Sequence, residues 1–158
     1  MKKELTPQRA KTSAWALLRV RPRSEKELRG RLAEKGYDGL IVEKVVGDLK
    51  RAGEIDDAKF ARFWINSRAH LKPVGNIVLR HELQAKGISD SLIEATLTER
   101  GAAYDEYEVA RQMADERIGR LRNIDRRKAM KRLYDFLARR GFAFDTISRI
   151  IDELKMKP

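Results

Sequence analysis

Cysteine is absent from the 158 residues, which excludes disulfides, thiolate metal sites and a cysteine nucleophile. Proline is scarce, with four residues, and aromatics make up only 7%. No apolar stretch approaches the roughly 18 residues that a membrane-spanning helix needs. The opening residues, MKKELTPQR, carry charge with no apolar segment behind them, so no secretory signal is expected. The expectation is a cytoplasmic protein that does not enter a membrane. Acidic residues are also in deficit: 24 Asp and Glu stand against 35 Lys and Arg, a net charge of +11. Such a surface attracts polyanions, so nucleic acid, or a protein already bound to it, is the first partner class to consider. Hydrophobic residues at 42% suffice to fill a core.

Apolar residues recur at spacings of three and four, and strict alternation is nowhere sustained, which predicts an all-α chain. Pro22 and Ser24 separate a first helix, around 12–21, from a second, around 25–35, and Ser24 with Glu27 has the spacing of a capping box. Gly36 suits the position after a helix end. A third helix is expected around 40–52.

This plan recurs at intervals of about fifty residues. Leu28, Leu32, Lys35, Gly36 and Tyr37 share their offsets with Leu79, Leu83, Lys86, Gly87 and Ile88, and with Leu133, Leu137, Arg140, Gly141 and Phe142. An amphipathic segment follows each glycine, with Ile41, Val45 and Leu49, then Ile93 and Leu97, then Ile147, Ile151 and Leu154. A further segment precedes each unit and holds Trp15 and Leu18, Phe60 and Trp64, or Val109 and Met113, all expected to pack inward. The reading is three modules of three helices, 1–55, 56–104 and 105–158, the first with a basic N-terminal tail.

A three-helix unit with a turn before its last helix is helix-turn-helix-like, and in that motif the last helix enters the DNA major groove. Here the three last helices are together net acidic, while the middle helices are strongly basic. Helices facing phosphates should not be acidic, which counts against groove reading. Basic residues gather instead in two places. Arg19, Arg21, Arg23, Arg29 and Arg31 surround the first turn, and Arg126, Arg127, Lys128, Lys131 and Arg132 open the last middle helix. Like charges at i and i+4 repel, so each group is either a solvated face or a site for phosphates or an acidic protein surface.

No catalytic pattern emerges, and no cofactor is expected. Neither glycine-rich phosphate loop is present. His81-Glu82 begins like a zinc-protease motif, but Ala85 stands where its second histidine belongs, and His70 has no metal-site spacing to His81. Asp56 and Asp57 precede a helix, where carboxylates satisfy free amides.

The run Arg21-Pro22-Arg23-Ser24-Glu25-Lys26-Glu27-Leu28, continued by Leu32, Lys35, Gly36 and Tyr37, resembles the opening of RecX regulatory proteins. So do Asp56-Asp57 with Phe60-Ala61 and Ser67-Arg68, and the stretch Leu83-Gln84-Ala85-Lys86-Gly87-Ile88. The likeness spans about residues 12–155, and Leu71–Gly75 departs from the family's linker.

The resemblance implies an elongated, curved array of three-helix repeats and a non-enzymatic negative regulator of recombination. Its partner would be the RecA recombinase filament on single-stranded DNA. The protein would lie in the filament groove, block extension or promote disassembly, and so lower ATPase, strand exchange and coprotease activity. Arg19, Arg21, Arg23, Arg29 and Arg31 are then candidates for one contact region, and Arg127, Lys128, Lys131 and Arg132 for another, with Arg68 and Lys86 as further candidates. Weak binding to single-stranded or duplex DNA through these clusters and a monomeric state are expected. The alternative is a helix-turn-helix-type transcriptional regulator, which would bind duplex DNA with sequence preference.

Overall fold

The computed structural model describes residues 5–101 and 104–156. Lys2 and Lys3 of the basic tail, and the terminal Pro158, lie outside the described residues. Among the described residues the chain forms nine helices and no strand. They are α1 (Pro7–Val20), α2 (Glu25–Glu34), α3 (Gly39–Arg51), α4 (Asp57–Leu71), α5 (Asn76–Ala85), α6 (Asp90–Gly101), α7 (Glu106–Gly119), α8 (Arg126–Arg139) and α9 (Phe144–Met156). The all-α tandem three-helix plan expected from periodicity is present.

Local chemistry accounts for the boundaries. Helix α1 begins five residues before the expected start, because Thr6 Oγ accepts from the Arg9 amide at 3.3 Å and Pro7 occupies the first turn. Asp38, Asp105 and Asp125 cap α3, α7 and α8 in the same manner. At the end of each middle helix a glycine has positive φ: 87° at Gly36, 79° at Gly87 and 81° at Gly141. The next residue's amide reaches back to the second leucine of the repeat, Tyr37 to Leu32, Ile88 to Leu83 and Phe142 to Leu137, at 3.1–3.3 Å. These are Schellman ends, which a left-handed glycine allows without a Cβ clash. They explain why Leu, Gly and an apolar residue recur together.

The chain divides into two compact units, Met1–Trp64 with Leu83–Ile93, and Ile65–Glu82 with Glu94–Pro158. In the first, Ala10 and Ala14 of α1 pack with Leu28 and Leu32 of α2 and Val42, Val45, Val46 and Leu49 of α3. In the second, Ala110 and Ala114 of α7 pack with Leu133 and Leu137 of α8 and Ile147, Ile150 and Ile151 of α9. Fully burying one such leucine is worth about 2–3 kcal/mol.

One expectation fails here. The fully buried residues of α1 and α7 are alanines, whereas Leu18, Val109 and Met113 only flank the cores and Trp15 is 43% exposed. A small side chain at the crossing lets neighbouring helices approach closely, and the larger residues are displaced to the margins.

Candidate functional site

The capping position of α2 organises the first unit. Ser24 is fully buried, its Oγ accepts from the Glu27 amide at 3.1 Å, and it donates to the Lys86 carbonyl at 2.7 Å. The expected capping box is only half formed, because the Glu27 carboxylate does not turn back to the Ser24 amide. It receives both terminal nitrogens of Arg21 at 3.0 Å and Lys86 Nζ at 2.6 Å. Burial pushes the Glu27 carboxyl up, but hydrogen bonds and charges from Arg21 and Lys86 outweigh it and hold the group at about 2. Lys86 Nζ also lies 4.8 Å from the centre of the Trp64 ring.

The two aspartates after α3 act differently from one another. Asp56 caps its own helix, accepting from the Ala58 and Lys59 amides at 2.8 and 3.2 Å. Asp57 accepts from the Glu25 amide at 2.9 Å and so serves the start of α2 rather than α4. Sequence spacing cannot show that, since the two residues are 32 apart.

The first basic group is largely neutralised within the chain. Besides Arg21, Arg29 bonds Glu43 through Nε at 2.8 Å and Glu25 through Nη1 at 3.1 Å, and Arg31 bonds Glu34 at 3.0 Å. Arg23 has a single long bond, 3.4 Å, to the Leu17 carbonyl. Arg19 is exposed and has no ion pair among the described residues. Of the two further candidates, Arg68 forms a two-point pair with Glu82 at 3.0 and 2.6 Å, and Lys86 is engaged as above. These pairs are partly shielded, and they order the surface rather than leave cations for a ligand.

The second group is different. Arg127, Lys128, Lys131 and Arg132 are all exposed on α8, and none has an ion pair among the described residues. Arg126 caps the end of α9, donating to the Leu154 and Lys155 carbonyls at 3.0 and 2.9 Å. The first turn of α8 carries no acidic residue. A helix N-terminus is the positive end of its dipole, so Arg127 and Lys128 stand where cations are least favoured. By contrast, α2 and α7 place glutamates in their first turns.

The linker before α5 makes backbone contacts in the second unit. The Gly75 amide donates to the Arg140 carbonyl at 2.8 Å and the Ile77 amide to the Gly141 carbonyl at 3.2 Å. Among the described residues no group of three or more metal-ligating side chains forms, and no helix is long and apolar enough to cross a membrane.

This architecture defines a class: tandem three-helix repeats whose modules dock middle helix end to middle helix start. Comparison with known proteins identifies the lineage. The descriptions of the first, second and third three-helix domains of RecX match residues 10–49, 56–97 and 104–151. The regulatory protein RecX of Amycolatopsis mediterranei is 36% identical over 154 residues, covering 95% of this chain and 87% of that protein. That of Prosthecochloris aestuarii is 35% identical, covering 92% and 93%. The crystal structure of RecX from Lactobacillus salivarius superposes with a TM-score of 0.82 at 22% identity, covering 95% of this chain and 97% of that one. The chain belongs to the RecX family of regulatory proteins.

Proposed function

We propose that this chain is a negative regulator of the RecA recombinase. It binds the recombinase filament on single-stranded DNA, lies in the filament groove, and blocks extension or promotes disassembly. ATPase, strand exchange and coprotease activity fall as a consequence. Family membership supports the regulatory role. The observation that carries the binding surface is the α8 face, with Arg127, Lys128, Lys131 and Arg132 exposed and without ion pairs. Arg127 and Lys131, and Lys128 and Arg132, are i,i+4 neighbours, an arrangement that costs the free protein a few tenths of a kcal/mol per pair. A polyanionic filament offsets that cost. In this reading the module 105–158 grips through α8, the module 1–55 adds Arg19 and Arg23, and the module 56–104 connects them. The chain acts as a cytoplasmic monomer and touches DNA only weakly by itself.

The test is a titration of recombinase ATPase on single-stranded DNA. Inhibition well below one chain per recombinase monomer supports the proposal. Absence of inhibition, together with tight and sequence-selective duplex binding, would instead favour a transcriptional regulator.

A further inference from the structure

Trp15 stands out because the side chain at that position should have been core. The residue is 43% exposed and borders a cavity of about 750 Å3 lined within the first unit. That is within the roughly 300–1,000 Å3 of small-ligand clefts. Leu18, Ile55 and Phe60 contribute apolar walls, and Arg19, Arg23 and Lys59 line the same cavity. Lys11 Nζ lies 5.1 Å from the Trp15 ring centre, so a fourth cation adjoins it.

The carboxylates of the cavity do not balance these charges. Two line it, Glu54 and Asp56, of which Asp56 also caps the start of α4, and they face Arg19, Arg23, Lys59 and the adjoining Lys11. Arg23 is half-buried with only its 3.4 Å bond to the Leu17 carbonyl. Burial first, then the charge of Arg21, lower its guanidinium from the ordinary value, and Glu27 opposes them only in part. An anion beside Arg19 and Arg23 would relieve that disfavour.

We infer that this cleft binds a nucleotide unit of single-stranded nucleic acid, its base stacked on the Trp15 indole and its phosphate held by Arg19, Arg23 and Lys59. A partly exposed indole beside cations that have no ion pair among the described residues supplies both parts of non-specific single-strand binding, the stacking platform and the backbone charge. A duplex keeps its bases stacked and offers no face to the ring. An acidic peptide would match the cations but would leave the apolar wall and the indole face unused. The cleft shares Arg19 and Arg23 with the proposed filament contact but no residue with the α8 surface, and its binding needs no recombinase, so an oligonucleotide titration without recombinase tests it apart from filament inhibition.

Trp15 and Trp64 are the two tryptophans of the chain, so Trp64→Phe leaves Trp15 as the only indole reporter. Titrating that full-length variant with oligodeoxythymidylate should quench its fluorescence saturably, with an affinity that weakens as salt is raised. Arg19→Ser with Arg23→Ser should weaken binding about tenfold, whereas serines at the four α8 positions should leave the quenching amplitude intact. In the otherwise unsubstituted chain, Trp15→Ala should weaken anisotropy-detected oligonucleotide binding by about five- to a hundredfold, and Trp15→Phe should restore part of it. Unchanged binding by Trp15→Ala with an unaltered helical circular dichroism spectrum would overturn the inference. So would oligonucleotide binding that leaves Trp15 emission unmoved, or quenching by polyglutamate and not by the oligonucleotide.

Discussion

The Ser24 hydroxyl donates to the Lys86 carbonyl at 2.7 Å, across 62 residues of sequence, while it caps α2 by accepting from the Glu27 amide. One buried oxygen therefore starts a helix and fastens it to the end of α5. The second unit makes the equivalent junction with backbone alone, from Gly75 to Arg140 and from Ile77 to Gly141. Replacing Ser24 by Ala strands the Lys86 carbonyl and the Glu27 amide without their partner. The expected loss is about 1–3 kcal/mol, measured by urea denaturation. A loss within error of zero would mean that the junction contributes nothing.

The glycines of these junctions are not equivalent to those of open turns. A Cβ on Gly141, where φ is 81°, would stand 2.5 Å from Val78 Cγ2 and 2.6 Å from the Val78 amide nitrogen. Gly53 has a similar φ of 73° but open space around it. Gly53→Ala should therefore cost about 1–2 kcal/mol from left-handed strain alone. Gly141→Ala should cost a further 1–3 kcal/mol or more from overpacking. Equal midpoints in chemical denaturation would contradict the close approach.

Glu27 makes stability depend on acid. Its carboxyl titrates at about 2 in the folded chain against an ordinary 4.5, because Arg21 and Lys86 outweigh its burial. Its contribution is complete above about pH 5 and is lost as pH falls from about 4.5 through about 2. Glu27→Gln should be less stable at neutral pH, and the gap to the unsubstituted chain should close over that interval. Denaturant midpoints at a series of pH values measure it, and a gap that stays constant down to pH 2 would refute the assignment.

Much of this fold is legible in the sequence, because its repeat encodes local geometry. A leucine pair, a glycine and an apolar residue at fixed offsets define a Schellman end, which needs only neighbouring residues. What could not be read depends on distant partners. Asp57 serves α2 because the chain returns there, and Glu27 turns from its own helix to Arg21 and Lys86. Trp15 departs from its expected place for a different reason: helical spacing identifies a face but not which residues sit at the crossing, and Ala10 and Ala14 take that place. The first basic group shows the same limit. Sequence counts its arginines, but their carboxylates Glu25, Glu27, Glu34 and Glu43 are matched to them only in space. The α8 cluster survives as a candidate surface because Arg127, Lys128, Lys131 and Arg132 form no ion pair among the described residues.

The proposed grip on the filament rests on α8. Changing Arg127, Lys128, Lys131 and Arg132 together to Ser should leave helical content unchanged, since all four are exposed. The decisive measurement is recombinase ATPase on single-stranded DNA, titrated with the unsubstituted chain and with this variant. Inhibition by the unsubstituted chain is expected below equimolar ratio, with a rise of at least about tenfold in the concentration that the variant needs. Superimposable inhibition curves for the two proteins would contradict it.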